Sequence, residues 1–219
     1  MNYRISVTAL EKFRRMIENV SDYDTEASLV ETLQGKFTGT SKTRIGTAFH
    51  KLIELPFSPT HGCTIENIAF SAEQANKAIV YRNSMVDMIR EVSANKIYHT
   101  KHMDFHVSGR ADGIWGNQIR DAKLKFSLPA WGEYYNSCQW KFYLDMFDAD
   151  IFFYDVFEVR NFKEIPNTNA FEGDIIAHDP FHCIRYNKLS EDIHFILELF
   201  AQFIHDRDYY HLLKGYLNA

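Results

Sequence analysis

The chain has 219 residues, 46% of them hydrophobic and 15% aromatic, which is ample for one full core, and its formal net charge of −5 excludes a global basic field. Three cysteines, Cys63, Cys138 and Cys183, are odd in number and widely spaced; they exclude a disulfide framework, a zinc site and a four-cysteine iron–sulfur site, and point to a reducing, intracellular (cytoplasmic) setting. No apolar run approaches the roughly 18 residues of a membrane helix, and the opening residues lack the apolar stretch of a signal peptide.

A first helix is expected to about residue 19, with Thr8 and Glu11 as its capping box and Ser6 as the alternative cap. A weaker helix over 24–34 stops at Gly35, and a polar loop covers 36–42. Residues 45–55 read as a helix with Ile45, Phe49, Leu52 and Ile53 on one side, halted before Pro56. Residues 58–70 read as irregular. Ser71 opens a long amphipathic helix to about residue 92. Strands follow at 96–100, 105–115 and 118–126, then a helix over 133–148 and a strongly β-prone strand over 151–160. Further strands are expected at 171–176 and 181–186, and a last helix at 190–208. That order argues for an α/β or α+β sandwich around a mixed sheet. It is expected to be one domain over 1–219, with a helical part to about 92 and a sheet-and-helix core from about 93.

The two runs at 105–115 and 118–126 are joined by Gly116-Asn117, a two-residue hairpin loop. That loop sets Trp115 against Gln118, and counting back sets Asp112 against Asp121 and Arg110 against Lys123. Directly opposed residues share a face, with Cβ atoms roughly 5 Å apart. Two carboxylates at that distance repel unless positive charge lies between them. A divalent cation meets that need, and Lys123 on the same face completes a metal-assisted hydrolysis site. The alternation of Ala122, Leu124 and Phe126 with Asp121, Lys123 and Lys125 assigns one face to a core and the other to charge.

His50 lies on the helix at 45–55, with Glu54 one turn later on the same face, and imidazole suits a site completed by carboxylates. Gln139 and Tyr143 project together from the helix at 133–148, where an amide and a phenol can grip a phosphate, sugar or base. His102, Asp104 and His106 share parity with Asp112 and form a polar face at the site's edge. Since the overall charge is acidic, a nucleic acid would have to approach a local basic face; Lys36, Lys42, Arg44, Lys51, Arg110 and Lys125 are the candidate phosphate contacts.

The ordered set Gly46-Thr-Ala-Phe-His50, Gly109-Arg-Ala-Asp112-Gly, Asp121-Ala-Lys123 and Gln139-Trp-Lys-Phe-Tyr143 resembles the RecB-like branch of the PD-(D/E)XK nuclease superfamily over roughly residues 5–160. The resemblance implies a restriction-endonuclease-like core, a mixed sheet flanked by helices. His50, Asp112, Asp121 and the Ala122 backbone carbonyl would hold Mg2+ or Mn2+, Lys123 would activate water, and Gln139 and Tyr143 would position DNA. Asp121 stands where Glu is commoner. The cluster-holding cysteines of some relatives are missing, so no iron–sulfur cluster is expected. The expected activity is a metal-dependent DNA exonuclease, acting as a homo-oligomer or with a helicase or recombination partner. A sequence- or structure-specific endonuclease, or a non-catalytic nucleic-acid-binding module, are the alternatives.

Overall fold

The computed structural model describes residues 2–36, 39–55, 61–128, 130–165 and 168–215. It opens with a strand absent from the sequence reading, β1 (Asn2–Ser6). Five residues with one β-branched side chain give little local signal; β1 exists because it pairs, parallel, with a strand a hundred residues on. Ser6 then caps α1 (Val7–Ile17), its hydroxyl accepting from the Ala9 N–H at 3.2 Å. Thr8 is therefore not the cap, and Glu11 is freed for other work.

Thr25 and Ser28 form a reciprocal capping box for α2 (Glu26–Leu33). The next helix, α3 (Ser41–Glu54), starts at the Thr40 cap, four residues before the expected 45, which moves Lys42 and Arg44 onto it. The stretch read as irregular holds a small hairpin, β2 (Cys63–Ile65) and β3 (Ile68–Phe70). Its turn residues Glu66 and Asn67 have φ of 49° and 62°, as a two-residue turn with both residues left-handed requires. Residues 58–60, the start of that stretch, lie outside those described.

Ser71 and Gln74 make a capping box for α4 (Ala72–Ser84), which ends eight residues short of the expected 92. Residues 85–88 turn the chain, and 89–92 belong to β4 (Ile89–His99), paired antiparallel with β5 (Asp104–Trp115) along nearly its whole length. Ile89 and Val92 fit either period locally; the long-range ladder decides. The hairpin partner is β6 (Gln118–Lys125). The single helix expected over 133–148 is two, α5 (Trp131–Asn136) and α6 (Gln139–Met146), broken at Ser137-Cys138. Then come β7 (Ile151–Glu164), β8 (Phe171–Ala177), β9 (Phe181–Ile184), α7 (Leu189–Asp206) and a short β10 (Lys214–Gly215).

The central sheet runs β10-β1-β5-β6-β7-β8, with β4 added to β5 and β9 to β7. The β1–β5 and β6–β7 pairs are parallel and the rest antiparallel, so the sheet is mixed. Helices cover both faces. On one, α1, α6 and α7 bring Leu10, Phe13, Trp140, Phe142, Leu197 and Phe200 against Phe105, Val107 and Phe152. On the other, α3 and α4 bring Phe49, Leu52 and Tyr81 against Ala122, Phe157 and Ile175. Among the described residues no helix is long and apolar enough to cross a membrane.

One topological detail places the site. While β4 holds one edge of β5, the other edge is shared: β1 pairs with residues 104–108 and β6 with 113–115. Between these two partners residues 109–112 have no strand neighbour on that edge, and the sheet forks.

Candidate active site

The hairpin register is as the loop dictates at its tip: Trp115 faces Gln118, Ile114 faces Ile119 and Gly113 faces Arg120. There the ladder stops. The continuation would set Asp112 against Asp121 and Arg110 against Lys123, but the strands part at the fork. Asp112 reaches across the gap, its Oδ2 accepting the Ala122 N–H at 2.7 Å. A carboxylate has taken the place of the missing strand carbonyl.

The single charged face expected for Asp112, Asp121 and Lys123 also gives way to a different arrangement. Gly109 looks toward Tyr143 and Met146 of α6, whereas Gly113, of the same parity, looks toward Met85 and Met88 at the end of α4. The alternation therefore inverts around Asp112. Opposite it on β4, Glu91 takes φ 54°, and that pair is missing from the β4–β5 ladder. Asp112 turns to α3, where His50 Nδ1 lies 3.5 Å from its Oδ2. Asp121 points to the other side, to α6, where Gln139 Nε2 donates to its Oδ1 at 3.2 Å. Asp121 is only 4% exposed, so the expected polar face is sealed under helices rather than bathed in water. Lys123 Nζ pairs with the buried Asp121 Oδ2 at 2.6 Å, and among the described residues that oxygen has no further hydrogen bond.

The two carboxylates are driven apart in acidity. Burial lifts Asp121 above the usual carboxylate range; the Lys123 charge opposes this and the nearby Asp112 charge reinforces it. Burial pushes Asp112 the same way, but His50, the Ala122 N–H and Lys123 outweigh it and hold Asp112 low. For His50 burial disfavours the cation, yet the Asp112 contact prevails and raises it. Burial likewise works against the Lys123 ammonium, and Asp121 and Asp112 together keep it raised.

The remaining expected residues fall into place around this centre. Arg110 does not face Lys123; its guanidinium is taken by Glu54 at 2.9 Å and Glu91 at 3.0 Å. Tyr143 is buried, with its hydroxyl on the Arg110 backbone. Lys125 stands 5.8 Å from the Tyr134 ring centroid, its ammonium destabilised by burial and by Lys123 and Arg15. It lines, with Arg15, Lys42, Lys123, Tyr134 and Gln139, a cavity of about 640 Å³ beside the carboxylates. His102 and His106 do not join the site: His102 stacks on His205 of α7, and His106 lines a small separate hollow with Arg4.

Two carboxylates were invisible in the sequence. Glu91 was placed in a helix; it lies next to Asp112, raised by burial and by Glu54 and Asp112. Glu11 was assigned to a cap; instead it accepts the Cys138 N–H at 2.8 Å at the head of α6 and pairs with Arg14 at 2.7 Å. Neither carries a local signal, since both roles depend on chain segments far away in sequence.

No protein-family model matches the chain, and no curated protein matches it. It is similar to several solved structures. One is the protein SSO0001, 17% identical with a TM-score of 0.48, over 90% of this chain and 76% of that one. Another is an alkaline exonuclease from Laribacter hongkongensis, 12% identical with a TM-score of 0.42, over 94% and 90%. A third is a phage-related exonuclease from Haemophilus somnus, 13% identical with a TM-score of 0.44, over 94% and 97%. None of these likenesses assigns a role to a residue of this chain.

Proposed function

We propose that the chain is a divalent-metal-dependent deoxyribonuclease of the PD-(D/E)XK type, an exonuclease in DNA processing. The observation that carries this reading is the meeting of His50, Asp112, Asp121 and Lys123 at the sheet fork. Binding alone does not require that set; metal-assisted hydrolysis of a phosphodiester makes use of every member of it.

The residues suit a hard cation. Among the described residues no three His, Cys, Asp or Glu side chains are already grouped so that they could hold a metal ion, and Lys123 neutralises Asp121. Yet Asp121 Oδ2 is a buried oxygen whose partner is the Lys123 ammonium, a cation that a metal can replace, and two carboxylates with one imidazole form a donor set that suits manganese and accepts magnesium. Asp112, Asp121 and His50 would hold the ion. The Ala122 carbonyl is a fourth donor: in a strand a residue's N–H and C=O point to one edge, and the Ala122 N–H points into the fork. Bound there, a divalent ion supplies charge to a phosphoryl oxygen and lowers the pKa of water.

The chain's own groups do the rest. Lys123, released from Asp121, places a compact positive charge at the phosphorus and orients the attacking water. Asp112, kept ionised by His50 and the Ala122 N–H, stays an acceptor at neutral pH. The cavity lined by Arg15, Lys42 and Lys125 offers a local basic path for a phosphate backbone on a chain whose net charge is −5.

The test is hydrolysis of end-labelled single- and double-stranded DNA with Mg2+ or Mn2+, with circular DNA to separate exonuclease from endonuclease. Turnover should need the metal and stop in excess chelator. Asp112→Asn and Lys123→Ala should each reduce it by roughly 10²-fold or more. Full activity in either variant, or activity that persists in chelator, overturns the assignment.

A further inference from the structure

We infer that Gln139 and Tyr143 are positioning residues: one face of α6 holds the two parted strands, and with them Asp112 and Asp121, at a fixed separation. The catalytic consequence rests on the nuclease reading above; the brace itself rests on hydrogen bonds.

At the fork β5 keeps β4 on one edge but has no strand neighbour on the other between Ser108 and Gly113. A backbone N–H and C=O left there would both need partners. Tyr143 provides them with one atom: its hydroxyl accepts the Arg110 N–H at 3.2 Å and donates to the Arg110 C=O at 2.9 Å. A hydroxyl can do both at once. In an antiparallel ladder a partner residue does the same with its own N–H and C=O. The phenol thus stands in for one residue of the missing strand, two positions from Asp112.

One turn earlier on α6, Gln139 Nε2 holds Asp121 Oδ1 at 3.2 Å. Residues four apart share a helix face, so α6 grips β5 with one side chain and β6 with the other. The spacing of Gln139 and Tyr143 is thereby converted into the spacing of two carboxylates. Tyr143 is 6% exposed and packed between Phe147 and Phe152, so its ring is not offered to a strand arriving from solvent. Gly109 admits the ring: a Cβ there would lie 3.2 Å from Tyr143 Cζ.

The experiment uses Tyr143→Phe, which keeps the ring and removes both hydrogen bonds, with Gln139→Leu as the second variant. Amide hydrogen exchange over residues 109–113 reads the brace without reference to activity; in Tyr143→Phe the Arg110 amide should exchange faster, while the β6–β7 ladder stays protected. On DNA, kcat at saturating substrate should fall by about tenfold or more, with KM and its salt dependence changed by less than about twofold. Gln139→Leu should show the same split, which keeps the question answerable if Tyr143→Phe does not fold. Unchanged exchange at Arg110 overturns the brace. So does a variant that weakens DNA binding while kcat at saturation is intact, because that marks a substrate contact. A wild-type protein that cleaves no DNA removes the nuclease reading, and the brace then stands or falls on the exchange result.

Discussion

At the scale of single residues, small changes near the fork should have opposite signs depending on the space beside them. A Cβ at Gly109 would meet Met146 Cε at 3.0 Å and the Tyr143 ring at 3.2 Å. Gly109→Ala should therefore destabilise by about 1–3 kcal/mol as α6 is pushed off the sheet, read as a fall in the urea midpoint. Gly46, inside α3, has nothing within 4 Å of such a Cβ. Gly46→Ala should stabilise by about 0.5–1 kcal/mol through helix propensity, read as a rise in the same midpoint. Asp24 gives a pH signature. It is buried, and although burial alone would raise its carboxyl, bonds from Lys12 at 2.9 Å, Ser21 at 2.7 Å and Arg15 at 3.1 Å hold it below the usual carboxylate range. A folded value below the unfolded one means its contribution is full above the ordinary range near about pH 4 and is lost as pH falls through the lower folded value. Asp24→Asn should cost about 1.5–3 kcal/mol at neutral pH. The gap to wild type should close in acid; a gap that widens on acidification contradicts the sign.

At the scale of elements, the break between α5 and α6 is what lets Gln139 begin a helix aimed at Asp121. The Cys138 cap offers no side-chain bond of its own. Glu11 of α1 supplies it from outside, and at the same time neutralises Arg14, which is 4% exposed. Glu11→Ala strips both. The expected cost is about 2–4 kcal/mol, an orphaned amide plus a buried guanidinium left with Glu18, measured by thermal or urea unfolding. A loss well under 1 kcal/mol would show that α6 docks without this hook. The helix break itself was not legible: residues 131–146 contain no Pro, and Gly132 lies before the break rather than in it. What interrupts the helix is the tertiary capture of the Cys138 amide by a residue far upstream.

At the scale of the whole molecule, the mixed sheet with helices on both faces follows from the order of elements, and the Gly116-Asn117 turn set the tip register correctly. Local rules reached that far because both are written in short segments. They did not reach the fork. Counting back from the turn assumed the ladder continues, and only the arrival of β1 on the same edge, from the other end of the chain, shows why it does not. The same blindness hid Glu91, whose strand looks helical until β5 claims it. His50, Asp112, Asp121, Lys123 and Gln139, far apart in the chain, lie around one gap.

The short ladder at the hairpin tip has a kinetic consequence. Asp112 and Asp121 are nine residues apart, and a hairpin closes in about 1–10 μs. The parallel pairing of β6 with β7 must wait for the chain of α5 and α6 to cross over, a non-local event that is intrinsically slower. The hairpin tip should therefore close before α6 arrives to hold the parted strands. During refolding, recovery of Arg110 amide protection should lag behind that of the turn, so the last part of the site to mature is its spacing rather than its residues.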